Sequence, residues 1–153
     1  MVLDEMMDPE HLGSMSQHNR TVIQRYFELL FNQGRIELVD ELLHPGYVNH
    51  SPGSPELPPG RDGVRIVVQA LRRGFPDLRY TVEDLVVAAD AVAVRATMRG
   101  THAGELFGLA PTGRSVCVAQ MTIERFQDGQ IIAHHRLTDD LTMLRQLGVI
   151  AQP

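Results

Sequence analysis

Tryptophan and lysine are missing from this sequence, and cysteine occurs once. The lone Cys117 leaves no intrachain disulfide and no thiolate metal site within one subunit. Its neighbours Val116 and Val118 suggest a strand, on which a buried, inert thiol is expected. All 14 basic residues are arginines spread along the chain, and the formal net charge is -5. A mildly acidic chain with no basic block argues against nucleic-acid binding as the main task. No apolar run reaches the roughly 18 residues that a membrane-spanning helix needs. The N-terminal stretch is acidic and lacks the charged-then-apolar order of a secretion signal, so a cytoplasmic protein is expected. Aromatic residues are few, five Phe and three Tyr, so aliphatic side chains must supply most of the core.

What is present is an ordinary globular composition, 43% apolar and 22% charged, over a length that fits one domain. Residues 1–16 carry no sustained period and read as a flexible tail; the domain is expected over 17–150. From Asn19, apolar residues at Val22, Ile23, Tyr26, Phe27, Leu30 and Phe31 give the spacing of an amphipathic helix, with Ser16 as a candidate cap and Gly34 as its stop. A short second helix fits 36–43, and a third fits 62–73. Between them, Tyr47 to His50 reads as a short strand before a Pro- and Gly-rich loop. Four strand-like runs follow, at 78–88, 91–102, 114–126 and 130–138, the last two joined by the Asp128-Gly129 turn. A short helix over 140–147 ends at Gly148. Three helices followed by a meander of long strands define an α+β fold, in which a curved antiparallel or mixed sheet wraps the helices and leaves a concave space suited to a small molecule.

Three segments carry a family resemblance. They are YVNHSPGSPELPPGRDGV, the stretch from Phe75 to Val116 that contains GTHAGELFGLAPTGR, and the terminal DDLTMLRQLG. Over residues 18–148 the chain resembles the SnoaL-like polyketide cyclases, cone-shaped proteins of the NTF2-like, ketosteroid-isomerase-like (cystatin-like) superfamily. The resemblance implies intramolecular aldol ring closure of an aromatic polyketide, with no metal or organic cofactor, and a homodimer. It also implies a central aspartate near the end of the last strand, which falls at Asp139. Two positions depart from the family pattern: His135 stands where a Trp usually follows His134, and Ala96 replaces a Trp often found beside Arg95.

Strand alternation gives a first picture of the site. Side chains two apart share a face, so Ile131, Ala133, His135, Leu137 and Asp139 form one mostly apolar face. That face is expected to turn inward, bringing His135 and Asp139 into one cavity. An apolar wall raises a carboxyl pKa and suits it to moving a proton from carbon to oxygen. The bland alternative is that Asp139 caps the helix starting at Asp140. His135 would orient Asp139, donate to a developing enolate, or be a core histidine. His134 is expected on the outer surface. His50, by its likeness to the family's (Y/F)VxH segment, is a candidate at the cavity mouth. His102 is a candidate ligand contact or an organiser of the loop that follows it. Gln120 interrupts an apolar run and is a candidate polar group in the cavity. Tyr26 and Phe27 line the inner side of the first helix, as core or as substrate contacts. Arg95 and Arg99 are expected on the solvated outer sheet face.

No H-x-H, H-E-x-x-H, G-x-S-x-G or dinucleotide-type glycine pattern occurs, so no metal, acyl-enzyme or nucleotide chemistry is expected. The leading expectation is a cofactor-free cyclase with Asp139 and His135 as catalytic groups acting on a hydrophobic carbonyl compound. The alternatives are an epoxide hydrolase or isomerase on the same fold, or a non-catalytic, ligand-binding dimeric module.

Overall fold

Asp128 and Gly129 take left-handed backbone angles, φ 52° and 75°, as a two-residue hairpin turn requires. They join β4 (Ser115–Gln127) to β5 (Gln130–Thr138). In the computed structural model, which describes residues 8–153, this hairpin is the centre of a five-stranded sheet. With β1 (Leu43–Asn49), β2 (Arg79–Val87) and β3 (Ala91–Thr101), the strand order is β1-β5-β4-β3-β2. The β1–β5 pair is parallel and the rest are antiparallel, so the sheet is mixed. The α+β architecture expected from the sequence is the one observed.

β4 alternates without a fault: Val116, Val118, Gln120, Thr122 and Glu124 are buried and the residues between them are exposed. That phase corrects the expectation for Cys117, which is exposed on the outer face. Two valines flanking a cysteine on a strand point away from it, so their burial is what exposes the thiol. β3 buries Val92, Val94, Ala96 and Met98 and turns Arg95 and Arg99 outward.

The helices pack on the concave face. α1 spans Pro9–Arg25, capped by Asp8, whose carboxylate accepts from the Glu10 amide at 3.2 Å. It starts ten residues before Asn19, and Ser16 lies within it rather than capping it. Of the expected tail, residues 9–16 are helical, and residues 1–7 lie outside the described residues. The first turns of α1 are mostly exposed, so no apolar stripe marked them. Beyond Arg25 the helix widens into π turns over Tyr26–Asn32. The wider turn puts the adjacent pairs Tyr26-Phe27 and Leu30-Phe31 inward together, and all four are buried. Asn32 ties this segment to β2 by donating to the Tyr80 carbonyl and accepting its amide.

Short helical turns at Ile36–Leu38 and α2 (Val39–Leu42) lead into β1. α3 (Arg61–Gly74) buries Val64 and Val68. At its start only glycine fits: a Cβ on Gly63 would sit 1.9 Å from the Pro58 carbonyl oxygen. α4 (Asp140–Gln146) closes the chain. Among the described residues no helix is long and apolar enough to cross a membrane.

Candidate active site

One extra residue in β5 decides which side chains reach the interior. Phe126 pairs with Ile131, but the next β4 residue, Arg125, pairs with Ala133. Ile132 is therefore a bulge, two residues opposing one. Strict alternation from Ile131 would send His135, Leu137 and Asp139 inward. The bulge reverses the phase, so His134, Arg136 and Thr138 face the helices, while His135 and Leu137 are exposed outside. The inner ladder between the two strands then reads Glu124–His134, Thr122–Arg136 and Gln120–Thr138.

His134, Arg136, Thr138 and Gln120 of this ladder line a cavity of about 380 Å³, within the range of small-molecule sites. Tyr26, Phe27 and Phe31 form one wall, Val64, Val67 and Leu71 of α3 another. Tyr47 and Asn49 of β1 enter from the sheet edge, and Tyr80 and Met98 from β2 and β3. Leu106 and Phe107, on the loop after β3, and Met143 and Leu144 of α4 complete the rim. The surface is mainly apolar and aromatic, with few polar groups converging on it.

One of those polar groups, His134, is paired with a carboxylate that lies behind the lining. His134 Nδ1 lies 2.7 Å from Glu124 Oε1, with Glu124 wholly inaccessible and His134 5% exposed. A carboxylate accepts, so Nδ1 is the donor to it, and a neutral imidazole in that tautomer holds its lone pair at Nε2. His134 lines the cavity, and its bond to Glu124 is the side-chain hydrogen bond it makes among the described residues. Glu124 Oε2 and Thr122 Oγ1, beneath it, have no partner among the described residues. Tyr26, Tyr47 and Tyr80 also line the cavity. Burial, with the Glu124 charge adding to it, pushes the Tyr26 and Tyr47 hydroxyls well above the usual phenol range. Burial pushes Tyr80 up to about 12, against the opposing charge of Arg136. All three stay protonated at neutral pH and can act as hydrogen-bond donors.

The expected site residues divide. Tyr26, Phe27 and Gln120 line the cavity, with Gln120 accepting from Thr138 Oγ1 at 3.3 Å. His135 does not: it is exposed on the outer face, its ring stacked 4.7 Å from His50 at an interplanar angle of 7°. His50 is turned outward with it, since β1 places Asn49 beside His134 and so points the next residue away. His134, expected outside, is the inward one. Asp139 is exposed and caps α4: its Oδ1 accepts the Thr142 amide at 3.0 Å and its Oδ2 the Thr142 hydroxyl at 2.7 Å. Those hydrogen bonds hold the Asp139 carboxyl below the usual range, the opposite of the expected rise. His102 is fully buried away from the cavity. Its Nδ1 lies 3.0 Å from the Thr112 hydroxyl, and its amide donates to the Arg114 carbonyl, pinning both ends of the intervening loop.

Sequence reasoning missed Glu124, His134, Arg136 and Tyr47 as site residues. Glu124 had a signal, for it shares the phase of Val116, Val118 and Gln120 on β4. His134 and Arg136 had none, because the bulge that turns them inward leaves no mark in the residue pattern. Among the described residues no three His, Cys, Asp or Glu side chains converge to hold a metal ion.

A deep, largely apolar cone with one carboxylate-oriented histidine at its floor defines a small-molecule site on an NTF2-like scaffold. Comparison with known proteins places it more closely. The sequence profile of the SnoaL-like polyketide cyclases matches residues 20–147, and the chain belongs to that family. It is 33% identical over 121 residues to the aklanonic acid methyl ester cyclase of Streptomyces galilaeus, covering 77% of this chain and 83% of that one. It is 32% identical over 120 residues to the nogalonic acid methyl ester cyclase of Streptomyces nogalater, covering 77% and 89%. Among solved structures, IdmH of Streptomyces antibioticus superposes with a TM-score of 0.73 at 39% identity over 85% of this chain and 98% of that one. TsrD of Streptomyces laurentii gives 0.79 at 28% identity over 88% and 97%.

Proposed function

We propose that this protein closes a ring by intramolecular aldol addition on an aromatic polyketide, with His134 as the base in place of the expected Asp139 and His135. The observation that carries the reading is the buried Glu124–His134 pair, in which Glu124 holds Nδ1 of an imidazole that lines the cavity. Nε2 takes a proton from a carbon flanked by carbonyls. The electron pair left behind moves into an enolate, whose oxygen is met by a phenol of Tyr26 or Tyr47. The carbanion carbon then bonds to a second carbonyl carbon of the same molecule, and the alkoxide formed there recovers the proton from the imidazolium. No atom is gained or lost, so the reaction balances without an oxidant, a reductant or a second substrate. Glu124 stabilises the imidazolium in between, as carboxylates do in triads of this kind.

The test is to incubate the protein with aklanonic acid methyl ester, nogalonic acid methyl ester and limonene epoxide, and to weigh the products. Ring closure gives a product of unchanged mass and new retention; epoxide opening adds a water. Conversion of the epoxide alone would overturn the cyclase reading.

A homodimer in the cytoplasm completes the proposal. The outer sheet face carries two cross-strand rows, Leu137–Met121–Arg95–Asp84 and His135–Ile123–Ala93–Val86. Leu137 is 81% exposed and Val86 70%, and exposed apolar side chains on one sheet face, with the Arg95–Asp84 ion pair among them, support pairing with a second copy. The free, exposed Cys117 suits a reducing compartment.

A further inference from the structure

Arg136 is a cation in the cavity that forms no ion pair among the described residues. Arg136 lines the cavity on the inner face of β5. Its backbone amide donates to Ser51 Oγ at 2.9 Å, one of its terminal nitrogens donates to Thr138 Oγ1, and the other reaches the Ser51 carbonyl at 3.5 Å. These neutral acceptors occupy two of the five guanidinium N–H groups. No carboxylate among the described residues lies within the 4.0 Å of an ion pair with Arg136. Glu124, on the same inner surface, is engaged with His134. Asp140, at the cavity rim on α4, is exposed and unpaired with it. Most other arginines outside this cavity do meet carboxylates: Arg25, Arg35, Arg61, Arg65, Arg73, Arg79, Arg95 and Arg125 all do.

A guanidinium half-removed from water in an apolar cone loses hydration that neutral partners only partly replace. The remaining N–H groups form a fork that matches a carboxylate with two parallel hydrogen bonds. Gly53 lies beside the guanidinium: a Cβ added there would stand 3.7 Å from a terminal nitrogen, in ordinary contact. From this geometry we infer that Arg136 is an anion subsite, which takes a carboxylate borne by a flat aromatic compound. The aromatic body lies against Tyr26, Phe27 and Phe31, and the carboxylate faces the Ser51–Gly53 segment. This shares the cavity of the proposed cyclase reading and adds the charge state of what enters it.

The experiment measures binding without turnover, so a failure of the ring-closure assay leaves it intact. Anthraquinone-2-carboxylate, its methyl ester and its carboxamide are titrated into the full protein at pH 8 by calorimetry, in low and high salt. The carboxylate is expected to bind about 10- to 100-fold more tightly than either neutral form, the usual worth of a charge-assisted hydrogen-bonded pair, with a smaller margin in high salt. In Arg136→Met that margin disappears while ester affinity holds, and Arg136→Lys retains part of it. Equal binding of the three probes by the wild-type protein overturns the inference, and so does a margin that survives in Arg136→Met. The wild-type comparison is decisive by itself, whether or not the variant folds.

Discussion

His134 and Glu124 face each other across adjacent strands, Nδ1 to Oε1 at 2.7 Å, with the carboxylate wholly sealed from solvent. A charge buried to that degree is tolerable only with a partner. Removing either member should therefore disturb both the chemistry and the fold. Glu124→Gln keeps the size but no longer stabilises an imidazolium. It is expected to lower kcat by about 100-fold or more, the scale of general-base contributions, with KM little changed. Steady-state kinetics on a converted polyketide ester checks the split; a pure KM effect would point to a packing role.

The phenols of Tyr26 and Tyr47 line the same cavity and remain protonated at neutral pH. Tyr47→Phe removes one donor to the enolate oxygen and is expected to cost about 10- to 1,000-fold in kcat, as lost oxyanion donors do. Tyr26→Phe should cost less if Tyr47 is the principal donor, and the two rates measured side by side identify which phenol faces the oxygen.

Asp139 governs stability in a pH-dependent way. Its folded carboxyl lies below the ordinary value of 3.8, chiefly through the Thr142 hydroxyl and amide. A depressed folded pKa means the carboxylate's contribution is fully present above the unfolded value and is lost as pH falls through the folded one. Asp139→Ala should therefore lower Tm at pH 7, and the gap to wild type should close on acidification below pH 3.8. A gap independent of pH would contradict the capping role.

Gly63→Ala drives a Cβ against the Pro58 carbonyl. The loop from Ser51 to Gly60 and the start of α3 must part, at about 1–3 kcal/mol, the cost of overpacking. Since Ser54 and Leu57 line the cavity, weaker probe binding should accompany the lower Tm. On the outer face, Leu137→Arg places a charge beside the exposed Met121 and should shift the protein to monomer in light scattering after size exclusion.

Much of the fold was legible because strands and helices here follow their own periods. β4 alternates from Ser115 to Arg125, and α3 repeats Val64, Val67, Val68 and Leu71, so both could be read directly. The first turns of α1 were not legible, since a helix that buries nothing shows no stripe. The site was half legible. Tyr26, Phe27 and Gln120 follow from period and polarity, whereas the inward face of β5 depends on a single unpaired residue, Ile132. A bulge is decided by the partner strand and the turn, not by the residue that bulges. Alternation carried through it inverted the identities of His134 and His135, and placed Asp139 in a cavity that Thr138 and Arg136 occupy.

The central claim rests on which residue moves the proton, and one paired measurement addresses it: kcat of His134→Gln against kcat of Asp139→Asn on the same polyketide ester, both variants shown to be folded. The account predicts a loss of about 100- to 10,000-fold for His134→Gln, the range of a lost general base, and little change for Asp139→Asn. Near-full activity in His134→Gln with loss in Asp139→Asn would contradict it and return the chemistry to the end of the strand.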